Sequence, residues 1–125
     1  MKILGTDFFS YEVSDLARSI EFYRDLLGLK LTEDGSEHGF VEFDVPPSSL
    51  ALIAAPIIMN RPPQPGGSMI WLAVPDMAAA VAELKERGVT VVMEPMETPV
   101  CFMCGFLDPD GNTIGLHQRK DGTAG

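Results

Sequence analysis

The side chains able to do chemistry in this sequence are few and scattered. His117 stands two residues beyond Gly115 in a run that reads as a strand, Thr113 to Gln118. There it suits a general acid or base, a lone metal ligand or a donor to a bound molecule, or else a hydrogen-bonded histidine near the strand end. His38, between Glu37 and Gly39 in a polar turn, reads as solvent-exposed. Ser10 has no evident base partner, and no Gly-rich loop follows a strand to cradle phosphate. Two histidines and no matching carboxylate spacing make a divalent metal site hard to assemble. One alternative is a bulge in the first strand that turns Asp7 inward to join His117, Glu12 or Glu42.

Cys101 and Cys104 form a C-x-x-C spacing. They sit in an apolar run, Val100 to Leu107, that reads as a strand, so residues three apart point to opposite faces. A redox pair normally opens a helix, and no second pair completes a zinc site. Buried structural thiols are expected.

A net charge of −9 argues against nucleic acid, which asks for clustered Lys and Arg. The acidity is compatible with a neutral or cationic small ligand, or with nothing more than a soluble surface. No apolar run reaches the roughly 18 residues that span a bilayer, and the amino terminus has no signal-sequence pattern. The expected protein is soluble and cytoplasmic, with no membrane partner.

These residues must be positioned by elements that the chain uses twice. Val13, Asp15, Leu16, Ala17, Ile20 and Tyr23 fall 61 residues before Val74, Asp76, Met77, Ala78, Val81 and Leu84. Each copy reads as a short apolar strand, a Val-x-Asp stop, an amphipathic helix and a closing Gly, Gly28 or Gly88. Leu16, Ile20, Tyr23 and Leu27 make the expected buried stripe of the first helix; Met77, Val81 and Leu84 make that of the second. Ser14 or Asp15 caps the first helix, and Pro75 and Asp76 start the second.

Taken in order, Thr6–Val13, a helix, Leu29–Thr32, Gly39–Asp44 and Ser49–Ala54 give βαβββ over residues 6–55. Four prolines and two glycines break residues 56–67 into a linker. Ser68–Val74, a helix from Asp76 to Arg87, Val89–Glu94, Val100–Leu107 and Thr113–Gln118 repeat the order over residues 68–118. Asp108-Pro109-Asp110-Gly111 suits a type I turn joining the last two strands. At 125 residues and 46% hydrophobic content, one domain of two half-domains is expected.

The order of elements and these residues together resemble the vicinal oxygen chelate superfamily, which includes glyoxalase I, extradiol dioxygenases and the fosfomycin and bleomycin resistance proteins. Val13-Ser14-Asp15 with Phe22-Tyr23 and Leu27-Gly28 is similar to its first-module signature, and Phe106-x-Asp108-Pro109-Asp110-Gly111-Asn112 to its penultimate hairpin. The resemblance implies an α+β fold: two βαβββ modules forming an open eight-stranded, mixed, barrel-like sheet around a central cavity, helices outside, often as a homodimer. Its enzymatic members hold a divalent metal with His, Glu or Gln on the first and last strand of each module. Carried over residue by residue, those places fall on Phe8, Ala51, Met69 and Gly115, none of which offers a usual donor.

Strand alternation adds to this. Phe9, Tyr11 and Val13 form the apolar side suited to helix packing, leaving Phe8, Ser10 and Glu12 opposite; in the second copy Met69, Trp71 and Ala73 are left opposite Ile70, Leu72 and Val74. An aromatic and thioether wall of this kind fits a flat or apolar ligand, or simply a filled barrel. Phe102 and Phe106 share one side of their strand, and which side faces in stays open. The expectation is a metal-free, cofactor-free binding protein for an apolar or aromatic ligand, a cationic one included. Phe8, Ser10, Glu12, Ala51, Met69, Trp71, Phe102, Phe106, Gly115 and His117 would form its site. The alternative is a glyoxalase-like lyase or isomerase, or a dioxygenase, using a displaced metal or His117 as acid or base.

Overall fold

The computed structural model describes Met1–Leu4 and Thr6–Ala124. The chain divides into two compact units, residues 1–65 and 66–125. Each is a βαβββ module whose strands form a four-stranded mixed sheet.

In the first module β1 (Phe9–Val13) runs parallel to β4 (Ser48–Ala54), which pairs antiparallel with β3 (Phe40–Val45), and that strand with β2 (Lys30–Gly35). Asp15 caps α1 (Leu16–Ile20) by accepting the Arg18 N–H at 3.1 Å. The helix then widens into a π-helical stretch, Glu21–Leu26, in which the Leu27 N–H reaches back five residues to the Phe22 carbonyl. Leu16, Ser19 and Tyr23 face Tyr11, Val13, Val41, Phe43, Leu50 and Leu52 in the core, with the Tyr23 and Phe43 rings 5.9 Å apart. The buried stripe thus runs through Ser19 rather than Ile20, which is half-buried. Residues three and four along from Leu16 straddle the face centre, and the packing settles on the smaller side chain.

The second module repeats the plan. Its β5 (Ile70–Ala73) runs parallel to β8 (Thr113–Arg119), followed by β7 (Cys101–Leu107) and β6 (Val91–Glu97). Asp76 caps a ten-residue helix, Met77–Glu86, through the Ala79 N–H at 3.0 Å, in nearly the backbone geometry of Asp15. Met77, Val81 and Leu84 of this helix are buried, as are Cys104, Phe106, Ile114 and Leu116 of the sheet.

Between β7 and β8, the Asp108 carboxylate accepts the N–H groups of Asp110 and Asn112 and the Asn112 side-chain amide, all within 2.9 Å. The Gly111 N–H closes the turn on the Asp108 carbonyl at 3.1 Å. Asp108 and Asn112 are buried, so this motif serves the hairpin.

Several expected bounds need correction: β1 starts at Phe9 rather than Thr6, and β2 covers Lys30–Gly35 rather than Leu29–Thr32. Residues 56–58, expected to open the irregular linker, belong with Ala55 to a short helix, α2 (Ala55–Ile58), with Pro56 in its first turn, where a missing N–H costs nothing. Strand β6 runs to Glu97 rather than Glu94, because the ladder passes Pro95 by shifting register between Met93 and Met96. Numbering in chain order, the helix Met77–Glu86 is α3.

Candidate functional site

Each sheet carries its helix on one face and leaves the other open, and cross-strand register fixes which side chains share that open face. In the second module, Met93, Gly105, Gly115 and Trp71 lie in one row across β6, β7, β8 and β5. The next row is Met96, Met103, His117 and Ala73. Two adjacent glycines, both buried, stand in the middle of the first row. Trp71 lies over one of them: a Cβ on Gly115 would come 2.2 Å from its Cε3. Trp71 remains 43% exposed, with the half-buried Met69 two residues before it.

His117 is half-buried in the second row, opposite Ala73 and Met103. Its main-chain carbonyl accepts the Val74 N–H at 3.0 Å, while its imidazole has no hydrogen-bond partner among the described residues. Phe102 and Phe106 belong to the other face. Phe106 is fully buried in the row of Val91 and Ile114, and Phe102 pairs with Gln118 beneath the Lys120 ammonium, 5.1 Å from the ring centroid. The structure thus removes these two phenylalanines from the open face, since their alternation puts them with Cys104 on the helix side.

Cys101 and Cys104 point to opposite faces as free, buried thiols. Burial pushes the Cys104 thiol above its ordinary range, and the Cys101 sulfur lies 3.0 Å from the Thr98 hydroxyl.

The first module's open face is more polar. Ser10 pairs with Ala51 and Glu42, and Glu12 with Ile53 and Phe40, across β1, β4 and β3. The Ser49 hydroxyl donates to Glu42 at 2.5 Å. Glu12 is held by Arg61 in a two-pronged ion pair, Nη1–Oε1 2.6 Å and Nη2–Oε2 2.9 Å, and by the Gln64 N–H at 3.0 Å. These bonds, the guanidinium's first, lower the Glu12 carboxyl to about 2. Phe8 precedes β1 and is 48% exposed. Asp7 also precedes the strand, exposed, with its carbonyl accepting from Ser48; no bulge brings its carboxylate inward.

The donor set does not fit the metal of the family's enzymes. Ala51 and Gly115 stand opposite Ser10 and Trp71 on the paired parallel strands, so the carried-over ligand places are occupied by side chains without donors. Among the described residues no three His, Cys, Asp or Glu side chains gather as a metal site.

Comparison with known proteins agrees with this architecture. The family described as Glyoxalase/Bleomycin resistance protein/Dioxygenase superfamily matches residues 5–116. The chain belongs to this superfamily. Among solved structures, this superfamily member is similar to TnmS3, an antibiotic binding protein from Streptomyces sp. CB03234. Identity is 34% over 96% of this chain and 99% of that one, with a TM-score of 0.74. A glyoxalase/bleomycin resistance protein from the same Streptomyces strain is 35% identical over 91% of this chain and 100% of the other, with a TM-score of 0.71. The lactoylglutathione lyase of Agrobacterium tumefaciens shares the fold, at 17% identity over 94% and 96% of the two chains and a TM-score of 0.73. No helix among the described residues is long and apolar enough to cross a membrane.

Proposed function

We propose that this superfamily member is a metal-free binding protein, a sequestering or carrier protein for an apolar, planar aromatic small molecule of the antibiotic kind. The observation that carries the reading is one face of the second module's sheet, where an exposed indole lies over Gly115 in the row of Gly105 and Met93, next to the row of Met103 and His117. An aromatic ring set against this face meets the indole and polarisable sulfur, with one imidazole at the margin to orient it. The antibiotic-binding relative supports the ligand class. A homodimer belongs to the same reading, and sedimentation at micromolar concentration tests it.

Acid–base chemistry at His117 gains little from this arrangement, because among the described residues no carboxylate or carbonyl orients its imidazole.

Trp71 is the single tryptophan of the sequence, so its fluorescence reports the site directly. Titration with planar aromatic antibiotics should quench it saturably, and Trp71→Ala should weaken binding measured by calorimetry at least tenfold. A thermal-unfolding scan in nickel, zinc, manganese and iron supplies the opposite arm. A metal bound only by the native state raises stability by roughly 4 kcal/mol at a thousandfold excess over its dissociation constant. Such a rise, with no ligand quenching Trp71, would replace the binder with a metalloenzyme.

A further inference from the structure

The inter-module segment does more than connect. After α2 the chain reverses at Asn60, which adopts a positive φ of 52°, a conformation Asn tolerates better than most residues. That reversal returns Arg61 to β1, 49 residues earlier, where its guanidinium meets both oxygens of Glu12. The Gln64 N–H adds a third bond to the same carboxylate, and the Pro62 carbonyl accepts from Nη1 at 3.1 Å. The Met59 sulfur lies 3.0 Å from Nη2. Glu12 therefore stands on an open sheet face with its acceptor capacity directed at a planar monocation, and the occupant is the chain's own side chain.

We infer that the Glu12 carboxylate, oriented by the Gln64 N–H, forms a recognition site for a guanidinium or alkylammonium group, which Arg61 fills in cis, so that cationic ligands must displace Arg61 to reach this carboxylate. The geometry is that of fork-to-fork recognition, in which two parallel N–H···O bonds specify a planar cation. Both partners are partly screened, with side chains 34% and 24% exposed for Arg61 and Glu12, so water and external solutes reach the pair. A tethered competitor of this kind acts at an effective concentration of order millimolar or above. An external cation at ordinary concentration therefore loses to it, and a neutral ligand is unaffected. In a chain of net charge −9, whose long-range field draws cations in, this contact removes one carboxylate from their reach. The inference stands on the first module alone and goes beyond the binding role proposed for the second.

The test is removal of the internal cation followed by its replacement from solution. Methylguanidinium chloride is titrated into the full chain and followed by amide NMR, with sodium chloride at equal ionic strength as the control. The Gln64 N–H is the reporter because it donates to Glu12. In Arg61→Ala the Gln64 resonance should move saturably back toward its wild-type position. In wild type the response should be at least fivefold weaker, and in the Glu12→Gln/Arg61→Ala double variant it should vanish. Arg61→Gln provides the same vacancy with a polar side chain should Arg61→Ala perturb the fold, which the remaining amide shifts would reveal. Equal responses in wild type and Arg61→Ala, or a response that survives Glu12→Gln, would overturn the inference.

Discussion

At the scale of single residues, the decisive feature is a ring lying on a glycine. Trp71 covers Gly115 across β5 and β8, and Phe40 covers Gly35 across β3 and β2, where a Cβ would sit 2.3 Å from the Phe40 ring. In each case the missing side chain makes room for an aromatic to lie down on the sheet. The consequence at Gly115 is testable. Gly115→Ala puts a methyl group within the volume of the indole, and because Trp71 is at the surface the ring swings out instead of straining the core. We expect the unfolding free energy to change by less than about 1.5 kcal/mol. The tryptophan emission should shift to the red, and aromatic-ligand affinity should fall at least tenfold. Unchanged emission and affinity would show that the flat indole is not the binding surface.

The same scale shows what the sequence could carry. Alternation puts Trp71 with Ala73, and Gly115 with His117, on one side of each strand; the resemblance to the family is what assigned the Gly115 side to the cavity, and the register joins the two pairs. Alternation cannot orient Phe102 and Phe106, since β7 is apolar on both sides and only contact with α3 distinguishes them. Arg61 carries no sequence signal of its role, because it lies among prolines that read as a connector and nothing local joins it to a carboxylate so distant in the chain.

At the scale of elements, the repeated grammar of strand, Asp cap and helix was legible, and both caps form as the spacing requires. The departure is the first helix, whose π-helical stretch has no counterpart in the ten-residue α3. Next to that stretch, the Ser19 hydroxyl is fully buried with no hydrogen-bond partner among the described residues. Burying a hydroxyl without a partner costs roughly 1–3 kcal/mol on mutational scales, and alanine fills nearly the same space without the polar atom. Ser19→Ala should therefore stabilise the protein by about 1 kcal/mol, read as a higher urea midpoint at unchanged slope. A loss of stability would mean that the hydroxyl is satisfied in solution, by water or by a widened helix turn.

At the scale of the whole molecule, an excess of acid shapes the response to pH. With 18 Asp and Glu against 9 Lys and Arg, lowering the pH from neutrality first relieves self-repulsion, and stability should not fall on that limb. Below it the direction reverses, and Glu12 is the clearest cause. Its carboxyl is held at about 2 in the folded chain against 4.5 for the free side chain, chiefly by the hydrogen bond from Arg61. A depressed folded-state value means that the unfolded chain takes up the proton first. The stability Glu12 provides is then fully present above pH 4.5 and is lost as pH falls from there through about 2. Asp25, lowered by Arg24, and Asp34, lowered by Ser36, add to the same limb with the same sign. Urea midpoints measured at intervals from pH 6 to pH 2 should thus hold or rise and then decline. Glu12→Gln should lower the midpoint near neutrality, where the ion pair is intact, and flatten the acid limb by the share of proton uptake that Glu12 supplies. A Glu12→Gln curve parallel to wild type over that limb would mean that Arg61 does not hold the carboxylate in solution, and the internal occupancy of the first module's open face would fall with it.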